Sequence, residues 1–141
     1  MKKMLRPTLA MVALTLSACG TLPTAEAPAL PVSHNNAVVA LVDSARSDNT
    51  NGRLDVSAAT LERALRIEPR NPGLWHELAK TRLQQGLATQ AISLAAKSNG
   101  WSGDNKTLRV ANWKLIGEAR TQLGDYPGAQ TAFDTAAQLQ R

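Results

Sequence analysis

The 141-residue chain has one cysteine, two histidines, one tyrosine and one phenylalanine. A single cysteine, Cys19, cannot build a disulfide framework. Two histidines leave little for a metal site: His34 lies in a proline-containing stretch, and His76-Glu77 opens like a zinc-peptidase motif whose second ligand position holds Lys80. No Cys/His cluster exists. No serine has a histidine and a carboxylate at plausible partner positions, and Gly100 to Gly103 lacks the lysine spacing of a phosphate-binding loop. No segment alternates in the manner of a strand. The long apolar stretch, Thr8 to Leu16, is too short to serve as a stable membrane span. These gaps argue against an enzyme, a metal site and a bound cofactor.

Charge excludes a further class. The chain carries 16 Lys and Arg against 11 Asp and Glu. Lys2, Lys3 and Arg6 precede the apolar stretch, and without them 13 basic residues face 11 acidic ones, a net charge of +2. A nearly neutral domain gives no electrostatic case for nucleic-acid binding.

The N-terminus has a targeting pattern. The basic residues and apolar stretch end in Leu16-Ser17-Ala18-Cys19-Gly20, which resembles the lipobox of bacterial lipoproteins. The resemblance implies that residues 1–18 are a signal peptide and that Cys19 is lipidated on its thiol and its freed amine. Three acyl chains would hold the protein stably where one would be marginal. The absence of aspartate after Cys19 implies, by the same resemblance, export to the outer membrane of a Gram-negative bacterium, facing the periplasm. Residues 19–35, with Pro23, Pro28 and Pro31, read as a flexible tether. About 16 extended residues reach at most roughly 55 Å.

Residues 36–141, about 105 residues and enough for one small domain, read as six helices. Asn35 or Asn36 is the expected cap of the first, which the polar run Ser47 to Gly52 closes. Asp55 is the expected cap of the second, stopped by Pro69. Asn71-Pro72 opens the third, which ends at Gly86. The fourth runs to Asn99-Gly100. Asp104 is the expected cap of a long fifth helix, and Pro127 suits the first turn of the sixth.

The helices repeat. Trp75, Arg82, Gln84, Gly86 and Ala91 recur 38 residues later as Trp113, Arg120, Gln122, Gly124 and Ala129, with Leu78-Ala79 matched by Ile116-Gly117. Spacing and residue types match the tetratricopeptide repeat (TPR), a helical hairpin of about 34 residues. Leu41, Ala45, Gly52, Leu61, Ala64 and Pro69 supply an earlier unit. The fold class is therefore all-α, a right-handed TPR solenoid of about three repeats near 38–71, 72–109 and 110–141. Ala79 and Gly117 are expected at the closest approach of paired helices, met by Ala91 and Ala129. Trp75, Trp113 and Phe133 should fill the space beside them, and Gly86 and Gly124 should permit the hairpin turns. Four extra residues near 101–106 should lengthen the fifth helix. Ala95 stands where Phe133 stands in the last unit. No solvating helix follows that unit, so apolar surface is expected near Phe133 and Leu139.

TPR proteins bind partners in the groove of their first helices. The pattern places Val39, Val42, Arg46, His76, Lys80, Leu83, Gln84, Ala111, Lys114, Glu118, Thr121 and Gln122 there. Arg46, His76, Lys80, Gln84, Lys114, Glu118 and Gln122 form the expected partner-binding groove, polar and moderately basic. The carboxylate clamp of chaperone-binding TPRs needs Lys and Asn where Val42 and Arg46 stand, so that activity does not carry over. Arg63 and Lys97 fall on second helices, outside the groove.

With the lipobox and tether, the segments Leu74-Trp75-His76-Glu77-Leu78-Ala79, Lys97-Ser98-Asn99 and Asn112-Trp113-Lys114-Leu115-Ile116 resemble the pseudomonad-type TPR lipoproteins, the LpoP-type activators of a class A penicillin-binding protein. The resemblance implies a non-catalytic periplasmic adaptor that binds and activates a peptidoglycan synthase. The sequence also admits a scaffold or assembly factor for an envelope complex: a pilus secretin, outer-membrane protein assembly, or murein hydrolase recruitment. It leaves the oligomeric state open.

Overall fold

The computed structural model describes residues 32–141; the expected signal peptide, Cys19 and most of the tether lie outside them. Six helices follow in order: α1 (Asn36–Thr50), α2 (Leu54–Ile67), α3 (Pro72–Gln84), α4 (Ala88–Trp101), α5 (Lys106–Gln122) and α6 (Tyr126–Gln140). The described residues contain no strand.

Three equivalent turns define the repeat. Gly52, Gly86 and Gly124 join α1 to α2, α3 to α4 and α5 to α6, with φ of 73°, 77° and 75°. At each, the glycine N–H bonds the carbonyl three residues back and the next N–H bonds the one five back. The acceptor pairs are Asn49 and Asp48, Leu83 and Arg82, and Thr121 and Arg120. That is the Schellman closure, which needs a left-handed residue that glycine adopts without cost. The first helix of each pair opens on an asparagine cap: Asn35, Asn71 and Asn105 accept from Ala37, Leu74 and Leu108 N–H. The three helical hairpins thus share one local chemistry at both ends.

Several boundaries move from their expected places, each for a reason of tertiary contact or cap geometry. Helix α1 continues through the polar run because Asp48 is buried on Arg53 at 2.6 Å and Asn49 bonds Thr81 at 3.0 Å. Asp55 lies within the first turn of α2, and Arg53 occupies the cap position without a side-chain bond. Helix α4 runs past Asn99-Gly100 to Trp101, held by Ser98 Oγ donating to the Pro72 carbonyl and by Asn99 accepting from Asn112. Asn105, not Asp104, caps α5. The four extra residues do lengthen α5: Trp75 is the fourth residue of α3, and its counterpart Trp113 is the eighth of α5.

The core has two joined parts. Val38, Val42, Leu61, Leu65, Leu74 and Leu78 pack between the first two hairpins. Alanines dominate the second part, where Ala79, Ala88, Ala91, Ala95, Ala119 and Ala132 surround Leu115 and Ile116. Side chains this short let helix axes approach closely and leave little room for substitution. Leu94 packs against both parts. Val32 also packs on the first part, its carbonyl accepts from Asn71 Nδ2 at 2.6 Å, and Ser33 Oγ donates to Glu68 at 2.7 Å. The last residues of the expected tether are therefore docked on the α2–α3 turn.

Candidate protein-interaction site

On the side formed by the first helices, Glu77 of α3 organises the expected groove. The residue is 6% exposed, and its carboxylate accepts Arg46 Nε and Nη2 from α1 at 3.0 and 2.5 Å, while Lys80 Nζ stands 3.6 Å away. Burial pushes the carboxyl pKa up, but the Lys80 charge and the hydrogen bond and charge of Arg46 outweigh it. Glu77 is held below the ordinary carboxylate range and stays ionised.

One residue earlier, His76 meets α5. Its Nδ1 is 2.7 Å from Asn112 Oδ1. The Asn112 amide Nδ2 donates to Ser98 Oγ and Asn99 Oδ1 at 2.7 and 2.9 Å, and Ser98 Oγ donates onward to the Pro72 carbonyl. With Asn112 Oδ1 left as acceptor, His76 must carry its proton on Nδ1. Burial lowers the His76 pKa, against the raising effect of the Asn112 bond, so the ring is neutral at pH 7. Around Thr81 a parallel contact forms: its hydroxyl accepts from Asn49 Nδ2, lies 3.4 Å from Ser57 Oγ, and donates to the Glu77 carbonyl. No buried side-chain nitrogen or oxygen among the described residues lacks a partner.

The expected groove residues therefore divide. Arg46, His76 and Lys80 come together, but their polar groups are engaged with one another's neighbours. Gln84, Lys114, Glu118 and Gln122 are exposed on α3 and α5. Val42 and Leu83 are core residues, buried in the first and second parts of the core. Glu77, Asn112, Thr81 and Asn49 escape a reading based on pattern positions. The signal for them was the adjacency of His76 and Glu77, which reads as a broken metal motif until Arg46 and Asn112 are brought up from other helices.

Of the packing residues, Ala79, Ala91 and Ala129 are buried, and Trp75, Trp113 and Phe133 are partly buried. One contact differs. It is the Phe133 ring, not Ala129, that stands nearest the space above Gly117.

A second region lies on the opposite side, between α2 and α4. Both helices pack on α3 but little on each other. A cleft of about 860 Å³ opens between them, with Leu65, Leu78 and Leu94 in its lining. Trp75 forms part of its wall, its Nε1 donating to the Pro69 carbonyl at 2.9 Å. Lys97 Nζ stands 3.9 Å over the Trp75 ring, and the Arg70 guanidinium 5.4 Å over Trp101, which is 45% exposed. At the rim Arg82 pairs with Glu62 at 2.7 Å. Lys97, expected on an unremarked outer surface, is thus part of a cationic and aromatic cleft.

Three Schellman-closed hairpins stacked on an alanine-rich core define an all-α protein of the TPR-like helical-hairpin class. Comparison with solved structures narrows this. The globular C-terminal domain of P. aeruginosa LpoP matches with a TM-score of 0.73 and 36% identity, over 74% of this chain and 99% of that one. The chain belongs to the LpoP family. No protein-family model and no curated protein matches the sequence.

Proposed function

We propose that this protein is a non-catalytic regulator of peptidoglycan synthesis that binds a class A penicillin-binding protein and stimulates it. The observation that carries the reading is the 36% identity to the LpoP domain across 99% of that domain's length. Identity at that level over a whole small domain supports a shared fold and makes a shared role the natural reading. The domain's architecture is suited to the role: a rigid stack of hairpins presents extended faces for a partner. In this reading Cys19 carries the lipid anchor, and residues 20–31 connect the outer membrane to the docked segment beginning at Val32. No helix among the described residues is long and apolar enough to cross a membrane.

The test is a glycan-polymerisation assay with the detergent-solubilised class A synthase of the same organism. The full-length lipoprotein should co-purify with the synthase and raise its polymerisation rate. A synthase that neither binds nor responds would refute the proposal.

A further inference from the structure

We infer that the cleft between α2 and α4 is the docking site for the partner, and that it receives a protein segment bearing carboxylates around an apolar anchor. The identity of the partner rests on the function proposed above; the chemistry of the segment rests on the cleft.

Two properties of the cleft set that chemistry. Its floor is aliphatic: Leu94 is partly exposed there, beside the buried Leu65 and Leu78, and α2 and α4 each rest on α3 with little contact between them. Its charge is one-sided. Glu62 is the single acid in the lining and is taken by Arg82, while Arg66, Arg70 and Lys97 have no carboxylate within 4.0 Å among the described residues. A concave, low-dielectric surface of one sign focuses field on an incoming charge of the other.

The aromatic contacts explain how the cleft is kept ready. Arg70 and Lys97 rest over Trp101 and Trp75. An exposed cation–π contact contributes only about 0.5–1 kcal/mol. A charge-assisted hydrogen bond to a carboxylate is stronger, so a partner's acid can draw these side chains off the rings and leave the rings to an apolar side chain. Tryptophan and arginine are also the residues that concentrate binding energy in protein interfaces.

The opposite face offers less. Arg46 and Lys80 are already drawn to Glu77, and His76 is neutral on Asn112. The chain's own N-terminal residues are a poor occupant, since residues 1–31 contain one acid, Glu26. A glycan strand would find a single carboxylate acceptor in the lining, Glu62, and Arg82 holds it.

The test places a photo-crosslinking benzoyl-phenylalanine at Ser93, inside the cleft, or at Lys114, exposed on the opposite face, in the full chain. Each is irradiated with the solubilised synthase, and the linked peptide is sequenced. Ser93 should link to a synthase segment rich in Asp and Glu around an apolar residue, and Lys114 should not. Arg70→Glu with Lys97→Glu should weaken binding roughly tenfold or more, the scale of hot-spot loss, with circular dichroism unchanged. Arg63→Glu, outside the cleft, should bind as the parent does. Linkage from Lys114 alone, linkage of Ser93 to a second copy or to glycan, or undiminished binding by the double variant would overturn the inference and leave the proposed function standing. If the synthase does not bind at all, the function falls and the cleft is judged separately. A short peptide alternating Glu and Leu should then shift the indole resonances of Trp75 and Trp101, and a Lys–Leu counterpart should not; unmoved indoles would overturn the inference.

Discussion

The ring of Phe133 fills the space that any side chain at Gly117 would need: an ideal Cβ there would lie 2.5 Å from Cε1 of the ring. The residues at the same positions one repeat earlier are Ala79 and Ala95, both fully buried. One repeat divides the gap between its helices as methyl and methyl, the next as hydrogen and phenyl. Gly117→Ala should therefore destabilise the fold, since overpacking of about 1–3 kcal/mol exceeds the helix-propensity gain of about 1 kcal/mol. Gly117→Leu should do more. In a Phe133→Ala background Gly117→Ala should become neutral or stabilising, because it recreates the alanine pair. Urea unfolding of the four proteins in the cycle decides this, and additive effects would show that the two positions are not coupled.

The hairpin turns give a cleaner backbone test. A Cβ at Gly86 would touch nothing within 4 Å, yet its φ is +77°. Gly86→Ala should thus cost about 1–2 kcal/mol from left-handed strain alone, with no loss of packing. An unchanged urea midpoint would mean the Schellman closure does not hold this turn.

Arg46 and Glu77 tie α1 to α3 across 31 positions of sequence. Arg46→Met would leave a buried carboxylate with only Lys80 nearby. A cost of about 1–3 kcal/mol is expected, the penalty for stranding a buried charged acceptor. Arg46→Met with Glu77→Met should recover part of it, because two apolar groups of similar shape strand nothing. Thermal melts of both variants check the order.

Acid should weaken the fold in two stages. The folded pKa of His76 lies below its ordinary 6.5, so on acidification the unfolded chain takes up that proton first. Stability from His76 is full above about pH 6.5 and is lost as pH falls through the folded value. Glu77 acts in the same direction lower down: its folded pKa lies below the ordinary 4.5, so its contribution is present above 4.5 and lost beneath the folded value. The melting temperature should drop as pH falls below about 6.5, and His76→Gln should flatten that part of the profile. A parent protein whose melting temperature holds constant there would contradict the buried neutral histidine.

Cys19→Ser should abolish palmitate incorporation and release the protein from the membrane fraction. Retained labelling in that variant would overturn the proposed lipid anchor, which rests on the lipobox sequence.

The repeat was legible because it is written in small residues. Gly86, Gly124, Ala91 and Ala129 meet local requirements, a positive φ or a close helix approach, that few other residues satisfy, so they recur at fixed spacing. The candidate surfaces were less legible. Pattern positions identified Arg46, His76 and Lys80 as neighbours but gave no sign that Glu77 and Asn112 would consume their charge and hydrogen-bonding capacity. Lys97 looked like a solvated surface residue, since nothing near it in sequence marks Trp75, 22 positions away, as its partner.

The sequence by itself determined the helices, their pairing and the family, because caps, turn glycines and alanine contacts are set within one or two turns of chain. Where polar helix ends stop was decided by tertiary structure: Asn49 stays helical because Thr81 satisfies it, and α4 runs on past Gly100 with Asn99 held by Asn112. Tertiary structure also decided which face remains unspent. Charge is available to a partner only where folding has not already paired it, and that depends on which side chains distant helices bring within reach. Folding neutralises much of the first-helix groove around Glu77 and leaves Arg66, Arg70 and Lys97 around an open apolar cleft on the other side.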